Sequence, residues 1–373
     1  MKKVALLMQS AANGGVQRIM INLAKGMIKQ GAKVDFLIAD ATGEMRKQIP
    51  EECPVYDFGK RTARGDLKVF LSLPQVARYM HKNPDTVIYA APGLSCTTAA
   101  FMKIFYRHTK VILINDNKCS LLKEGGLYHK TVYLANKIVY RFADEVIAAH
   151  TPAMRDIAEH YHIRPEKMQV IYHPLIDLNV VNAAEPETAH PFIRTKNDGY
   201  KLLLAVGRLV PEKAFDNLID AFALVREKRK VKLIILGDGE QRELLQNRIN
   251  EKHLQEDVDL FGYTERVFSF MKSADLYVLS SRQEAFGNVL VEAIACGLPC
   301  VATDCVSGGP KEIMEQNGIG KYGVLCEREN VDLLADSILS ALDKNYKKTD
   351  FEVKAEEFEI NYSAQKYLEF ARE

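Results

Sequence analysis

The chain has no long apolar run: no stretch of its 373 residues approaches the roughly 20 apolar residues that span a bilayer. Met1-Lys2-Lys3 leads straight into a short strand pattern, so no signal peptide is predicted. With 47% hydrophobic and 27% charged residues, the composition is typical of a soluble globular protein. We therefore expect a cytoplasmic protein without a transmembrane segment.

Cysteine is scarce and shows no pairing pattern. The seven cysteines are an odd number without tight spacing, which favours a reducing compartment. Cys296, Cys300 and Cys305 flank a helix end and an apolar strand, and no nearby histidine completes a metal site. We interpret these three as small core residues and predict neither a metal ion nor a cofactor.

The usual signatures of two ligand classes are also missing. The first strand is not followed by G-x-G-x-x-G, so the dinucleotide-binding fingerprint is absent there. No zinc-finger or RNP-type motif is present, which disfavours nucleic acid as a partner. The first strand leads instead into Asn13-Gly14-Gly15-Val16-Gln17-Arg18 and a helix pattern. These glycines let the backbone approach a ligand at a helix start, although they are also ordinary turn residues.

Length and periodicity predict an α/β fold in two parts, because 373 residues exceed one ordinary core. Short apolar runs alternate with longer helix-period segments, which favours parallel sheets. The predicted strands of a first sheet are Val4–Met8, Val34–Ile38, Thr86–Ala90, Val111–Ile114 and Glu145–Ala149. Those of a second are Leu202–Val206, Lys232–Leu236, Val258–Phe261, Leu276–Leu279 and Cys300–Thr303.

The stretch between the two sets is polar, holds Pro186 and Pro191, and shows no strong period, which predicts a linker at 176–199. We predict an N-terminal doubly wound domain at 1–175 and a C-terminal one at 200–350. The last segment, 351–373, reads as a helix that braces the first domain. Ligands of such sheets bind at the carboxyl ends of the strands, so the expected site is the cleft between the domains.

Polar motifs follow several strands of the second predicted domain. Arg208 and Lys213, in Gly207-Arg208-Leu209-Val210-Pro211-Glu212-Lys213, come directly after its first strand. A guanidinium and an ammonium there can neutralise a diphosphate, or both are solvated surface cations. The next two strands end at Gly237-Asp238-Gly239-Glu240 and Phe261-Gly262-Tyr263-Thr264. These loops form either a nucleobase slot through backbone groups or ordinary turns.

The most informative segment is Glu284-Ala285-Phe286-Gly287-Asn288-Val289-Leu290-Val291-Glu292. Glu284 follows an apolar run that predicts a buried strand, and Glu292 lies about one turn into a predicted helix. The N–H groups of the first helical turn have no internal acceptor, so they favour an anion. Carboxylates bind hydroxyls, and a sugar nucleotide carries both kinds of group. Acids near helix starts are also common without any ligand.

Together, GGVQR, GRLVPEK, GDGE, the E-x7-E segment and AIACGLPCVATDCVSGGPKEI resemble the family 4 glycosyltransferases of the GT-B fold over nearly the whole chain. The resemblance implies two Rossmann-like domains facing a cleft and retaining, metal-independent sugar transfer from a nucleotide donor. The single D-x-D spelling, Asp257-Val258-Asp259, runs into a strand, and we regard it as accidental. DCVSGGPKEI is most similar to bacterial enzymes that build capsule, O-antigen or N-glycan chains on lipid carriers, often from UDP-sugars.

The resemblance also implies roles by position. Arg208 and Lys213 would hold the diphosphate, Glu292 would accept hydrogen bonds from the ribose, and Glu284 would orient a transferred hexose or N-acetylhexosamine. Gly15 would let the first domain's loop close on the donor. The other donor-binding positions implied are Gly237, Tyr263, Ala285, Phe286, Gly287, Asn288 and Val289.

The sequence departs from the family pattern at three places. Ala214 stands where the family usually has Gly, and Gln17 stands where Glu is common. Many relatives place a His after the strand Val111–Ile114, where this chain has Asn115-Asp116-Asn117. Asp116 either takes a catalytic role in place of that His or caps the next segment.

Charge is unevenly distributed. Residues 1–199 carry 27 Lys and Arg against 19 Asp and Glu, whereas residues 200–373 carry 23 against 30. Within 58–142 there are 14 basic and 4 acidic residues. Basic residues share predicted helix faces at Arg61, Arg64 and Lys68, and again at Lys130, Lys137 and Arg141. An ordinary surface helix does not explain this excess, so we expect 58–142 to dock on the inner membrane surface and present a lipid-linked acceptor.

Two other classes of function stay open at this point. One is an NAD-dependent oxidoreductase with two Rossmann domains, which the missing fingerprint disfavours. The other is a non-catalytic module that binds sugar nucleotides. The intact Arg208, Lys213 and paired glutamates argue against such a module, while the missing His argues for it.

Overall fold

The computed structural model describes residues 3–60, 67–115, 119–196, 199–315 and 318–371. The chain forms two compact units, the first made of Met1–Leu175 and Glu357–Glu373 and the second of Ile176–Glu356. Arg61, Arg64 and Asp116, which the sequence singled out, lie outside the described residues.

The first unit contains a parallel sheet whose described strands lie in the order β3-β2-β1-β4-β5-β6-β7. Their bounds are β1 Lys3–Ser10, β2 Lys33–Asp40, β3 Val55–Asp57, β4 Val87–Ala90, β5 Val111–Asn115, β6 Glu145–Ala148 and β7 Met168–Val170. The order reverses between β1 and β4, which is the switch point of a doubly wound sheet. Leu7 faces one core and Leu6 and Met8 the other, so helices cover both faces.

Helices connect these strands in chain order. Their bounds are α1 Gly15–Lys29, α2 Leu67–Phe70, α3 Leu73–Lys82, α4 Leu94–Lys103, α5 Cys119–Glu124, α6 Leu127–Val139 and α7 Thr151–Tyr161. α1 leads from β1 into β2, and its buried face includes Met20, Leu23 and Met27 at helical spacing. The first strand and helix therefore form the βαβ unit that the apolar pattern predicts.

The second unit repeats this architecture, with described strands in the order β10-β9-β8-β11-β12-β14-β13. Their bounds are β8 Lys201–Val206, β9 Val231–Leu236, β10 Val258–Gly262, β11 Leu276–Leu279, β12 Cys300–Asp304, β13 Gly318–Ile319 and β14 Gly323–Glu327. β13 runs antiparallel to β14, and the other pairs are parallel. Here the order reverses between β8 and β11, so ligand groups are expected at their carboxyl ends.

The helices of this part of the chain complete the series. Their bounds are α8 Leu178–Ala183, α9 Pro191–Arg194, α10 Phe215–Lys228, α11 Arg242–Glu251, α12 Val267–Ser273, α13 Asn288–Ala295, α14 Gly309–Met314, α15 Val331–Asp343, α16 Lys348–Glu356 and α17 Ile360–Phe370. α10 packs on the sheet through buried Leu218, Phe222 and Val225. α13 is apolar on most sides and buries Leu290, Val291, Ala293 and Ile294.

The predicted fold class is confirmed, and all ten predicted strands are present with ends within two residues of the prediction. Four strands were not predicted: β3, β7, β13 and β14. β3 and β7 have three residues each and β13 has two, so an apolar run of strand length is missing. β14 begins with a glycine and ends with half-buried Cys326 and exposed Glu327, so its continuous apolar run is short.

The segment predicted as a linker, 176–199, is folded into the second unit. It contains the short helices α8 and α9, and His190 Nε2 lies 2.8 Å from Asp259 Oδ2 on β10. The N–H of Glu187 donates to the carbonyl of Ser269 at 3.0 Å, and its side chain is 3% exposed. The polar residues that suggested a linker are thus partners of the second unit's own groups.

The last predicted segment, 351–373, is two helices in different units. α16 lies in the second unit, whereas α17 returns to the first and packs on α1. The two helices approach closely, because a Cβ on Gly26 of α1 would lie 2.6 Å from the Cβ of Ala364. Tyr367 of α17 is fully buried, and its carbonyl accepts a hydrogen bond from the Tyr89 hydroxyl.

None of the helices that the structure describes has the length and apolar character to cross a membrane. The seven cysteines are free thiols. Cys300 and Cys305 are buried and Cys296 is half-buried, and burial raises the pKa of Cys296 and Cys305 to about 12. These thiols are therefore protonated and packed as small side chains at neutral pH.

Candidate functional site

Lys213 and Glu284 form an ion pair at the carboxyl ends of β8 and β11. Only 18% of the Lys213 side chain and 13% of the Glu284 side chain are exposed. The Ser281 hydroxyl donates to the same oxygen, Glu284 Oε1, at 2.8 Å. The Ser280 hydroxyl donates to the Lys213 carbonyl at 2.8 Å. Two residues that are 71 positions apart in sequence are therefore fixed together at the sheet's switch point.

Arg282 ties the segment after β11 to the turn that carries Lys213. Its backbone N–H donates to the Glu212 carbonyl at 2.8 Å, and its Nη1 donates to the Pro211 carbonyl at 2.7 Å. The same guanidinium donates to both carboxylate oxygens of Asp216. Burial raises the pKa of Asp216, but the hydrogen bonds and charge of Arg282 outweigh it and hold that pKa below its usual range. Arg282 thus crosslinks two strand-end loops.

The end of β11 is held from the neighbouring strand. The Ser281 carbonyl accepts a hydrogen bond from Thr303 Oγ1 at 2.6 Å and another from Cys305 Sγ at 3.1 Å. Thr303 belongs to β12 and is buried. The backbone just before Glu284 is therefore held on one side by the bonds of Arg282 to the Lys213 turn and on the other by Thr303 and Cys305.

α13 begins directly after Glu284, with Gly287 at its N-cap. Gly287 has φ +110°, a conformation that glycine adopts without strain. The N–H groups of the first turn, which includes Asn288 and Val289, have no acceptor inside the helix. The positive end of the helix dipole therefore begins four residues after Glu284, the partner of Lys213, and it favours an anion there.

The loop before α13 is packed against the loop after β12. A Cβ on Gly309 would lie 2.2 Å from the Phe286 carbonyl oxygen, so only glycine permits this approach. Phe286 is 3% exposed, whereas Ala285 is exposed. Glu292 lies on α13 and is half-buried, one turn beyond the helix start.

Arg208 differs from Lys213 in the exposure and the ion pairing of its side chain. Its side chain is exposed, and within the described ranges it forms no ion pair. Its carbonyl accepts from the N–H of Val210 at 2.9 Å, so the residue lies in a tight turn directly after β8. Arg208 is therefore a cation on the site's loop that is available to a ligand.

The loops after β8, β9 and β10 are joined by backbone contacts. The Gly237 N–H donates to the Gly262 carbonyl at 2.8 Å, and the Leu209 N–H donates to the Asp238 carbonyl at 3.0 Å. Gly237 has φ +135°, and a Cβ there would lie 1.9 Å from the Gly207 carbonyl oxygen. These glycines allow three strand-end loops to form one continuous edge. Tyr263 follows this edge and is 68% exposed.

In the first unit, the predicted site residue Gly15 lies at the start of a helix. Gly15 is the first residue of α1, and Gly14 occupies the N-cap. Gln17 Nε2 donates to Ser10 Oγ at 3.3 Å, which links the helix start to the end of β1. Asp116 lies outside the described residues, so its role stays a prediction.

The structure thus brings Lys213 into contact with Glu284 and places Arg208, Gly237, Tyr263 and the start of α13 on loops of the same sheet edge. Sequence reasoning missed Arg282, Ser281 and Asp216. Arg282 lies only two residues before Glu284, which was a signal of proximity, but nothing in the sequence indicated its pairing with Asp216.

This arrangement places two cations and a helix start at the carboxyl edge of a parallel sheet. Such an edge binds phosphate groups through N–H donors and positive charge. Glu284 adds a carboxylate whose Oε2 forms no hydrogen bond in the described parts of the chain. In those parts, no group of three or more His, Cys, Asp or Glu residues is arranged to hold a metal ion. The edge can therefore accept an anion and a hydroxyl-bearing group together.

Both halves of the chain match family models. Residues 186–358 match the model described as glycosyl transferases group 1, and residues 13–177 match glycosyltransferase family 4. Fold and site together define a glycosyltransferase of the GT-B type. The chain belongs to the glycosyltransferases that combine a family 4 domain with a group 1 domain, which confirms the resemblance that its motifs carry.

Two curated relatives and one solved structure show the extent of this similarity. An uncharacterised glycosyltransferase of Methanocaldococcus jannaschii is 33% identical over 230 residues, which cover 58% of this chain and 56% of that protein. The N-acetylgalactosamine-N,N'-diacetylbacillosaminyl-diphospho-undecaprenol 4-alpha-N-acetylgalactosaminyltransferase of Campylobacter jejuni is 26% identical, covering 95% of this chain and 94% of the relative. HepE of Anabaena, solved with UDP and glucose, shares the fold with a TM-score of 0.77, at 22% identity and 100% coverage of both chains.

Proposed function

We propose that the protein is a retaining glycosyltransferase that moves a hexose or N-acetylhexosamine from a UDP-sugar to a lipid-linked saccharide in bacterial surface polysaccharide assembly. The observation that carries the proposal is the Lys213–Glu284 pair beside the start of α13. It supplies a cation and helix N–H groups for a diphosphate, and a carboxylate for a sugar hydroxyl. Crystals of HepE, which has the same fold, contain UDP and glucose.

The diphosphate would be held by Lys213, Arg208 and the first turn of α13. The ammonium of Lys213 has three donors, and its bond to Glu284 occupies one of them. The others remain for phosphate oxygens. Arg208 offers a two-pronged guanidinium from the same loop. Because Lys213 and the start of α13 are fixed before the ligand arrives, they stabilise charge that develops on the departing diphosphate without reorganisation.

The sugar and ribose would be held by the two glutamates. Glu284 Oε1 accepts from Lys213 and Ser281, which leaves Oε2 for a hydroxyl of the transferred sugar. Glu292, one turn further along α13, would accept hydrogen bonds from the ribose. Tyr263 and the Gly237 loop lie at the same sheet edge and would border the base.

Transfer would proceed on one face of the sugar. The acceptor hydroxyl oxygen bonds to the anomeric carbon while the bond from that carbon to the diphosphate oxygen breaks. The acceptor proton moves to the departing diphosphate, which leaves as UDP. The anomeric configuration is therefore retained. Arg208, Lys213 and α13 carry the charge stabilisation, so we propose that no metal ion is required.

The proposed acceptor is a saccharide on a lipid carrier. The relative from Campylobacter jejuni is named for a saccharide on diphospho-undecaprenol and aligns along 95% of this chain. The basic excess of residues 58–142 suits an anionic membrane surface, where such acceptors reside. We therefore propose action at the cytoplasmic face of the membrane.

Free UDP release tests the transferase proposal. Purified protein is incubated with UDP-hexoses and UDP-N-acetylhexosamines, with a polyprenyl-diphosphate saccharide or with none, in the presence of EDTA. We expect acceptor-dependent UDP release that EDTA leaves unchanged, and a product with the donor's anomeric configuration by NMR. Thermal shifts across UDP, GDP and ADP identify the base, since a ligand that binds the folded state raises its melting temperature. If no nucleotide raises it and no donor is consumed, the proposal is wrong.

One rival function is now less well supported, and the other is decided by the UDP-release assay. Membership of the glycosyltransferases argues against an NAD-dependent oxidoreductase. A non-catalytic module would bind UDP and raise its melting temperature without consuming a donor. The UDP-release assay therefore separates this module from the enzyme.

A further inference from the structure

Helix α6 has a well-defined inner face that anchors it to the first unit. Tyr133, Asn136 and Val139 are its buried residues. The Asn136 amide accepts from Thr97 Oγ1 at 2.6 Å and donates to the Tyr161 hydroxyl at 3.3 Å. These bonds join α6 to α4 and α7, so the rotation of the helix about its axis is fixed.

The opposite face of α6 is apolar and exposed. Leu127, Leu134 and Ile138 are 84%, 59% and 57% exposed, respectively. They are spaced seven and four residues apart, which places them on one side of a helix. Single exposed leucines are ordinary, but an aligned row of large apolar side chains on one helix face marks an interaction surface.

A row of cations lies beside this apolar row. Lys130, Lys137 and Arg141 each come three residues after Leu127, Leu134 and Ile138, respectively. Lys130 and Lys137 lie on α6, and Arg141 lies on the 3-10 turn Tyr140–Phe142 that continues it directly. Residues 125–143 contain no Asp or Glu. In the described ranges, none of these three cations forms an ion pair with a carboxylate.

Three other cations of the basic region, Lys68, Lys103 and Lys110, are already paired with carboxylates. Lys68 pairs with Asp40, and its side chain is only 17% exposed. Lys103 pairs with Asp144 at 2.7 Å and Lys110 with Glu145 at 2.8 Å. The predicted basic face at Lys68 is therefore partly internal, whereas the row on α6 is not.

We propose that α6 lies in the plane of an anionic lipid surface, with Leu127, Leu134 and Ile138 among the acyl chains and Lys130, Lys137 and Arg141 at the phosphates. An aligned apolar face with flanking lysines and arginines is the pattern of an interfacial helix. The long basic side chains reach upward to the headgroups while their stems cover apolar surface. This inference rests on the proposed function only for its purpose, the delivery of a lipid-linked acceptor, and its test needs no acceptor.

The charge on α6 argues for lipid over a second copy of the chain. A symmetric dimer through this face would bring two identical rows of cations together, and no carboxylate between residues 125 and 143 would offset them. An anionic bilayer offers acyl chains to the apolar row and phosphates to the row of cations. The row of cations also predicts that binding weakens as salt rises.

A tryptophan on α6 gives a direct test, because the chain has no native tryptophan. Leu134→Trp places one on the apolar row, and Leu244→Trp is the matched control on α11, where Leu244 is 51% exposed. Vesicles of phosphatidylcholine with phosphatidylglycerol should shift the emission of Leu134→Trp to the blue and protect it from acrylamide. Leu244→Trp should not respond. Equal responses of the two variants, or none in Leu134→Trp, overturn the proposal.

Co-sedimentation with the same vesicles measures the partition coefficient of each variant between water and the lipid surface. Leu134→Gln/Ile138→Gln should lower the partition coefficient at least about tenfold. Lys130→Gln/Lys137→Gln/Arg141→Gln should lower it about a hundredfold at low salt and weaken its salt dependence. Leu244→Gln should bind as the parent does. All these residues are at the surface, so melting temperatures check that each variant folds.

Two further outcomes would contradict the proposal. One is unchanged vesicle binding by the Leu134→Gln/Ile138→Gln variant. The other is a parent dimer that this variant dissolves, which would make the face a subunit interface. UDP release from donor hydrolysis, measured without lipid, keeps the two proposals apart. Loss of vesicle binding with intact hydrolysis would affect this inference alone, and absent hydrolysis with intact vesicle binding would affect only the transferase.

Discussion

The guanidinium of Arg282 donates to both carboxylate oxygens of Asp216, at 3.0 and 2.9 Å. Asp216 lies in the first turn of α10, and the same guanidinium reaches the Pro211 carbonyl. The pair therefore fixes the short turn that carries Lys213 between β8 and α10. Its position suggests that a residue without a ligand contact sets the geometry of one that we assign to the diphosphate.

Arg282→Lys keeps the charge but loses the two-pronged fork. We expect kcat to fall about tenfold, because Lys213 is less well placed, while the melting temperature drops by only a few degrees. Arg229→Lys is the matched control, since Arg229 also pairs with an aspartate, Asp343, on the unit's surface. Steady-state kinetics check the prediction. A kcat equal to that of the parent would show that Arg282 serves stability alone.

The same pair gives a pH dependence of stability. Because the folded-state pKa of Asp216 lies below its unfolded value, the unfolded state binds more protons at acidic pH. The stabilisation is present above the unfolded pKa of about 3.9 and is lost as pH falls through the folded pKa. Asp216→Asn should therefore lower the free energy of unfolding at pH 7 and flatten its decline below pH 4. Urea titrations from pH 7 to below pH 4 measure the free energy of unfolding across this range. If that free energy falls as steeply below pH 4 in Asp216→Asn as in the parent, the assignment is wrong.

Arg208 and Lys213 are the cations assigned to the departing diphosphate. Arg208→Ala and Lys213→Ala should each lower kcat about a hundredfold, as expected for the loss of one preorganised donor. Lys228→Ala, a change in an exposed lysine of α10, should leave kcat unchanged. UDP release under saturating donor measures these rates. Near-normal turnover in both site variants would defeat the assignment.

Glu284 provides a test that separates binding from catalysis. Glu284→Gln keeps the side-chain shape but removes the charge that neutralises Lys213. We expect UDP to bind as tightly or more tightly, because Lys213 then offers its full charge to the phosphates, while kcat falls at least about tenfold. Calorimetry with UDP and steady-state kinetics give the two values. Weaker UDP binding together with unchanged kcat would reverse the assigned role.

Ala214 follows Lys213 and is buried with φ +50°, a left-handed conformation that costs alanine about 1–2 kcal/mol. Ala214→Gly relieves this strain but removes a buried methyl group worth roughly 1 kcal/mol. The free energy of unfolding should therefore change by less than about 1 kcal/mol. Ala214→Val adds a β-branched side chain where φ is positive and should destabilise by about 2 kcal/mol or more. Denaturant unfolding of both variants measures their free energies of unfolding and checks that Ala214→Val is the less stable of the two.

The sequence allowed the ten central strands and the fold class to be predicted, because a strand buried on both faces is a nearly continuous apolar run. Edge strands such as β3 and β13 are too short to give that signal. The predicted linker was wrong for a different reason. A polar segment is expected to be exposed to solvent only when its polar groups lack partners in the protein. Glu187 and His190 have such partners within the second unit.

The candidate site shows the same limit. Motifs identified Lys213 and Glu284 as separate elements, and the rule that doubly wound sheets bind ligands at the carboxyl ends of their strands predicted that both would lie at that edge. Their direct contact depends on side-chain packing across 71 residues, which no spacing rule reveals. Arg282 was missed because its partners, Pro211 and Asp216, are visible only after β8 and β11 are placed side by side.

The return of α17 to α1 has a consequence for synthesis on the ribosome. Residues 1–175 are made first, but the buried Tyr367 and Ala364 that cover α1 emerge only after the whole second unit has been translated. The earliest part of the chain therefore waits with an uncovered helix until some two hundred further residues have been added, at about 5–20 residues per second. For those seconds the nascent protein exposes apolar surface that chaperones can bind.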